Sequence, residues 1–292
     1  MKRSSKTDLF DSHCHLHDDR MAAGRVPAMA RARAAGVTGW LLAGVDAADW
    51  LAQARLAAGD PDVARSYGLH PQKIEAWDDA EIDRQLAILA AALASGAGRD
   101  GLRLAPPHAV GELGLDARTE VSRAALPRQE RAFRQQLALA RDHDLPIVLH
   151  IVRAHADALR ILHADGVPRA GGVVHSYSGS AALVADYVAL GLSISFAGAI
   201  TDPRSRRLRA AAGVVPIDRL LIETDAPDQT PFARRPGLNE PAFLIDVCAA
   251  LAEIRAEDRD FLAQVTEDNA RRLFRLRMRP DHGRAYVDAS NQ

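Results

Sequence analysis

Cysteine is scarce. Cys14 and Cys248 are the only two in 292 residues, too few for a disulfide framework and in keeping with a reducing compartment. No apolar run approaches the ~20 residues that a membrane-spanning helix needs. The start, Met1-Lys2-Arg3-Ser4-Ser5-Lys6-Thr7-Asp8, is charged and polar, and no apolar stretch follows it, so no secretory leader is expected. The expected compartment is the cytoplasm, with no membrane contact. A surplus of one charge is also missing. Thirty-seven Lys and Arg stand against 38 Asp and Glu, for a net charge of −1. That balance argues against broad, non-specific binding to duplex nucleic acid and leaves room for local basic patches. Internal repeats, low-complexity blocks and linkers are absent.

What is present fits a soluble globular chain: 48% hydrophobic and 26% charged residues, ample for a continuous core. Strand-like and helix-like stretches alternate. Apolar, β-branched runs predict strands at 9–15, 37–43, 63–70, 109–115, 147–152, 172–175, 192–196 and 220–224. Helical periodicity is clearest over 129–143, where Ala132, Phe133, Leu137 and Ala140 share a face, and it recurs over 81–94. The stretch 94–107 is a longer connection with no clear pattern. Strand then helix, repeated about eight times over about 250 residues, is the pattern of an α/β (β/α)8 TIM barrel. A doubly wound open sheet competes, but it would need fewer strands and a site confined to one crevice. One domain over residues 8–277 is expected, with flexible termini at 1–7 and 278–292.

Six metal-ligand-type residues lie where these strands end: His13 and His15, Glu112, His150, His175 and Asp225. Residues two apart on a strand point to the same side, so His13 and His15 aim together while Cys14 aims away as a small buried filler. Groups so far apart in sequence meet only if parallel strands end on one face, which is where the catalytic groups of such barrels gather. Two imidazoles with a carboxylate suit Zn²⁺, Mn²⁺ or a similar ion. Glu112, with two oxygens, is the candidate bridge between two ions; His150 and His175 would complete the second, and Asp225 would bind the first. Two ions roughly 3.5–4 Å apart clamp the attacking and leaving oxygens of an in-line displacement, and Asp225 is placed to take the proton of the attacking water. His70 also ends a strand and, with Arg153 just beyond His150, is a candidate for contacting substrate phosphate. Arg204, Arg206, Arg207 and Arg209 after strand seven, and Arg234 and Arg235 after strand eight, would form a basic border for phosphates or simply a solvated face. His17 is a loop residue and at most an alternate ligand.

Taken in order, the motifs resemble those of the TatD family of metal-dependent hydrolases, within the wider amidohydrolase-like barrels. They run through Asp11-Ser12-His13-Cys14-His15-Leu16, Gly68-Leu69-His70-Pro71, Gly111-Glu112-Leu113-Gly114-Leu115-Asp116, Pro146-Ile147-Val148-Leu149-His150, His175-Ser176-Tyr177-Ser178-Gly179, Glu223-Thr224-Asp225-Ala226-Pro227, Asn239-Glu240-Pro241 and Thr266-Glu267-Asp268-Asn269-Ala270. The resemblance implies a TIM barrel with a divalent metal site and phosphodiester hydrolysis, commonly DNase activity on single-stranded ends. Carried over residue by residue, it gives His13, His15, Glu112 and Asp225 to one ion and Glu112, His150 and His175 to the other, with Asp225 also the general base. Glu112 stands where other amidohydrolase branches place a bridging lysine carbamate. Two positions depart from the family pattern: His17 replaces the usual Asp, and Asp228 replaces the usual apolar or aromatic residue. The expectation is therefore a 3′-5′ exonuclease on single-stranded DNA or another phosphodiester, using two divalent ions (Mg²⁺, Mn²⁺ or Zn²⁺). The same activated water could attack a carbonyl, so an ester or amide hydrolase such as a D-aminoacyl-tRNA deacylase is an alternative. A non-enzymatic component of a larger complex is another. The sequence names no partner protein.

Overall fold

Short apolar runs bounded by glycine, proline and polar residues form eight strands: β1 (Leu9–Cys14), β2 (Val37–Leu42), β3 (Val63–Tyr67), β4 (Ala109–Asp116), β5 (Ile147–Val152), β6 (Gly172–Val174), β7 (Leu192–Phe196) and β8 (Leu220–Ile222). The structure, a computed structural model, describes residues 8–279, apart from the side chain of Asp100. The strands follow one another in chain order around one sheet, every neighbouring pair parallel, with helices between them packed on the outside. This is the (β/α)8 arrangement. The seam between β8 and β1 is crossed by backbone hydrogen bonds from Asp225 N–H to the His13 carbonyl (2.9 Å) and from His15 N–H to the Ala226 carbonyl (2.7 Å). Asp11 adds to the seam by accepting from the Thr224 backbone N–H (2.9 Å) and hydroxyl (2.5 Å).

Five strands stop short of the lengths that hydropathy predicts. β1 ends at Cys14, β2 at Leu42, β3 at Tyr67, β6 at Val174 and β8 at Ile222. His15, His70, His175 and Asp225 therefore stand just past strand ends, on the rim where the backbone is free to turn. Ser176 (φ 43°), Arg153 (φ 55°) and Asp225 (φ 57°) occupy the left-handed region there, a conformation uncommon outside glycine.

Two apolar shells fix which side each residue faces. Phe10, Leu41, Ala64, Ala109, Val148, Val173 and Leu221 fill the barrel interior, with Phe274 beneath them. Leu9, Cys14, Val110, Leu113, Leu149, Val174 and Ile222 pack outward against the helices. Strict alternation along β1 would send His13 and His15 outward, since Phe10 faces inward. One extra residue between Asp11 and Cys14 relative to β2 flips the parity, so both imidazoles face in and Cys14 faces out. In β4 an extra residue between Gly111 and Leu113 relative to β5 does the same for Glu112. β-Bulges re-aim side chains in this way beside active sites.

The helix Leu126–Asp142 shows how the outer layer positions the rim. Its apolar face carries two buried glutamines, Gln129 and Gln136. Gln136 bonds both the N–H (2.7 Å) and the carbonyl (3.1 Å) of Leu69, next to His70. Gln129 does the same for Asp116 (2.8 and 3.1 Å). Each glutamine satisfies a strand end that lacks a ladder partner.

At the opposite end of the barrel, Arg271 is 1% exposed and pairs with Glu267 (2.8 Å) and Asp62 (2.8 Å). Removing one partner of a buried ion pair strands the other charge. Arg271→Ala is expected to destabilise the fold by about 3–5 kcal/mol, measurable by chemical denaturation. Of the flexible termini expected from sequence, residues 1–7 and 280–292 lie outside the described residues; Arg279 is described, and it pairs with Asp8 (3.0 Å) and Asp62 (2.9 Å). Among the described residues, no helix is long and apolar enough to cross a membrane.

Candidate metal centre

All six candidate ligands converge at the C-terminal mouth of the barrel. The two oxygens of Glu112 divide them. Oε2 lies 3.2 Å from His13 Nε2 and 3.5 Å from His15 Nε2. Oε1 lies 2.7 Å from His150 Nδ1 and 2.8 Å from His175 Nε2. Asp225 Oδ1 completes the first group at 3.6 Å from His13 and 3.4 Å from His15. Three sets of atoms have the closeness that holding an ion requires: His13, His15 and Asp225; His70, Glu112 and His150; and His13, His175 and Glu223.

Burial and charge set the protonation of the cluster. Burial opposes ionisation of Glu112, but the imidazoles of His175, His70 and His13 overcome it and hold the carboxyl well below its usual range. Asp225 is lowered in the same way, against burial, by His15, His13 and His175. Burial pulls His70 down to about 4 and lowers His13, with His175 adding to the effect. These two imidazoles are thereby kept neutral, with a lone pair to give. His15 is pushed up to about 9, against burial, by Asp225 and Glu112. Ionised carboxylates facing imidazoles, in a pocket that binds protons to supply positive charge, make a donor set that suits a divalent cation. Glu112 Oε2 is buried and accepts no regular hydrogen bond, a costly state for an anionic oxygen that a cation would relieve.

Behind the candidate ligands stand carboxylates that the sequence does not single out. His175 Nδ1 lies 3.3 Å from Glu223 Oε1, and the same oxygen accepts from Ser176 N–H at 2.6 Å. Ser195 Oγ donates to the other oxygen of Glu223. His150 Nε2 meets Asp116 Oδ2 at 3.2 Å, and Gln72 Nε2 donates to that oxygen at 3.1 Å. Partners of this kind fix the tautomer and orientation of ligating imidazoles, and losing one typically costs about 10–100-fold in metal affinity. Glu223→Gln is accordingly expected to weaken metal binding about tenfold, read by competition with a chromophoric chelator. An unchanged affinity would leave Glu223 a purely structural role. The available signal was period two: Glu223 precedes Asp225 by two residues and so shares its face.

The mouth opens into a cavity of about 690 Å³ lined by His15, His70, Glu112, His150, His175 and Asp225, with three cations at its wall: Arg20, Lys73 and Arg118. Each cation leans on a carboxylate. Arg118 pairs with Asp116 (2.6 Å), Lys73 with Asp46 (2.9 Å), and Arg20 with both Asp18 and Asp228 (2.8 Å each). Asp228, where the family pattern has an apolar residue, thus anchors a bridge from the loop after β8 to the loop after β1. His70 takes its place in the site, with Nε2 3.0 Å from Glu112 Oε1. Arg153 does not. It is exposed, donates to the Arg118 carbonyl at 3.3 Å and is absent from the cavity wall; its left-handed backbone turns the chain outward. His17 pairs with Asp49 at 3.1 Å and joins none of the three ligand sets. Cys14 is buried, its thiol against the Leu41 carbonyl at 3.6 Å.

The family model of TatD-related DNases matches residues 10–275. A protein of Yersinia pseudotuberculosis named 3′-5′ ssDNA/RNA exonuclease TatD is 37% identical over 279 residues, covering 92% of this chain and 100% of that protein. One of the same name from a Rahnella species is 35% identical over 283 residues, covering 93% and 100%. Among solved structures, a TatD homologue of Escherichia coli superposes with a TM-score of 0.81 at 30% identity, covering 93% of this chain and 100% of that one. A phosphotriesterase homology protein of Escherichia coli, complexed with phosphate in its active site, shares the fold at a TM-score of 0.64 and 15% identity, covering 92% and 99%.

Proposed function

Because this chain belongs to the family of TatD-related DNases, we propose that it is a metal-dependent hydrolase of phosphodiesters that trims single-stranded DNA from its 3′ end. The observation that carries the reading is the division of Glu112, with one oxygen toward His13 and His15 and the other toward His150 and His175. A carboxylate so shared suits two divalent ions, one held by His13, His15 and Asp225, the other by His150 and His175, with Glu112 between them. Mg²⁺, Mn²⁺ and Zn²⁺ are the candidates. When bound, such ions supply Lewis acidity, easing ionisation of water and neutralising charge on the phosphoryl oxygens.

The chain's own groups supply the rest. Asp225 accepts the proton of the attacking water. Its Oδ2 takes a hydrogen bond from Gln229 Nε2 at 2.8 Å, which fixes the carboxylate's orientation. Glu223 and Asp116 hold His175 and His150 in place. His70 lines the cavity as a neutral imidazole and can meet a phosphate oxygen, while Lys73 and Arg118 give the scissile phosphate a cationic wall. We place the protein in the cytoplasm, in accord with its two free, buried cysteines.

The test is 5′-labelled single-stranded DNA incubated with purified protein and Mg²⁺, Mn²⁺ or Zn²⁺, with and without chelator. The reading predicts a ladder shortening from the 3′ end and abolished by chelation. An intact polymer under all metals, or cleavage indifferent to chelator, would reject it. Release of an acyl group from tRNA without shortening would favour the deacylase alternative.

A further inference from the structure

Phe232 does not behave as a core residue. It is 42% exposed on the loop after β8, and its backbone N–H is tied to Thr201 Oγ1 (2.8 Å) of the loop after β7. A single exposed aromatic ring needs no explanation, but this one is flanked by cations. The Arg204 guanidinium carbon lies 5.0 Å from the ring centroid and that of Arg235 lies 5.9 Å away. Arg204 is braced by Asp202 (2.8 Å). Arg235 donates to the Thr230 carbonyl (3.0 Å) and has no ion-pair partner among the described residues. The loop belongs to the catalytic mouth. Gln229, three residues before Phe232, lines the cavity and bonds Asp225, and three residues span at most about 10 Å. Leu238, on the same loop, adds 57% exposed apolar surface.

From this juxtaposition we propose that Phe232, with Arg204 and Arg235, forms a stacking platform for single-stranded nucleic acid at the rim between β7 and β8. It would hold the nucleotides next to the one whose phosphodiester lies in the cavity. Bases stack on aromatic faces and on arginine guanidinium planes, while arginine charge tracks the backbone, and this combination is how proteins grip single strands without reading sequence. Duplex DNA hides its base faces, so the platform selects an unpaired strand. It also adds local positive charge at the rim of a chain whose net charge is −1. The inference rests on the hydrolase reading only for the position of the strand end.

The test reads binding apart from turnover. Fluorescence anisotropy of a labelled oligothymidylate and of an abasic oligonucleotide of equal length is followed with wild type, Phe232→Ala, Phe232→Trp and Arg235→Gln, all in chelator. Phe232→Ala is expected to weaken oligothymidylate binding about tenfold and abasic binding hardly at all, and Phe232→Trp to restore it. Arg235→Gln should weaken both oligonucleotides alike and reduce the salt slope by about 1. Equal oligothymidylate affinity for wild type and Phe232→Ala, or an equal loss on both oligonucleotides, would overturn the platform. Wild type that binds but never cuts with metal present would overturn the hydrolase reading and leave the platform standing.

Discussion

Asp225→Asn is expected to leave the protein folded and to lower its turnover of single-stranded DNA by about 10²–10⁴-fold, the range that a positioned general base contributes. The backbone at this position makes it a clean substitution. Asp225 sits at φ 57°, in the left-handed region that asparagine tolerates as well as aspartate. Its N–H continues to reach the His13 carbonyl across the barrel seam. The side chain keeps its shape, and an amide oxygen still accepts from Gln229. What disappears is the basicity proposed to take a proton from water, together with the negative charge that His13 and His15 face at 3.6 and 3.4 Å. Thermal denaturation beside steady-state kinetics separates the two effects. An unchanged melt with full activity would remove Asp225 from the proton pathway.

Glu112→Gln should have the larger consequence for metal content. The glutamate is 1% exposed and presents one anionic oxygen to each half of the cluster. A glutamine presents a single acceptor to one half and N–H donors to the other, which cannot share an ion. We expect the bound divalent metal to fall below two per chain and turnover to drop roughly 10³-fold, corresponding to about 4 kcal/mol of lost transition-state stabilisation. Elemental analysis after dialysis, paired with kcat, checks both. Two ions retained with near-normal turnover would contradict the bridging role.

Much of this was legible in the chain because the signals are local. Runs such as Ile147–Val152 and Leu192–Phe196 have the strand bounds that hydropathy predicts, and His150 and His175 face inward by simple alternation from Val148 and Val173. The bulges in β1 and β4 were not legible, since an extra residue is defined only against the neighbouring strand. Period two counted from Phe10 and Ala109 alone would have aimed His13, His15 and Glu112 outward. The cavity's cations were not legible for a related reason. Arg20 reaches Asp228 across 208 residues of sequence, Lys73 sits in the short helix Pro71–Ala76, and Arg118 lies in the loop after β4, in directions that no hydropathy period encodes. Arg153 was the reverse case. It stands near His150 in sequence, yet its left-handed backbone (φ 55°) leads it away from the site. Glu223 sat in plain view beside Asp225, but a carboxylate that serves an imidazole looks, in sequence, like any other acid at a strand end.

Whether two ions share Glu112 is decided by diffraction from crystals grown with Mn²⁺, with anomalous differences measured at the manganese edge. Two peaks are expected, one among His13, His15 and Asp225, the other beside His150 and His175, with Glu112 contacting both. A single peak that Glu112 does not touch, or none at the barrel mouth, would contradict that sharing.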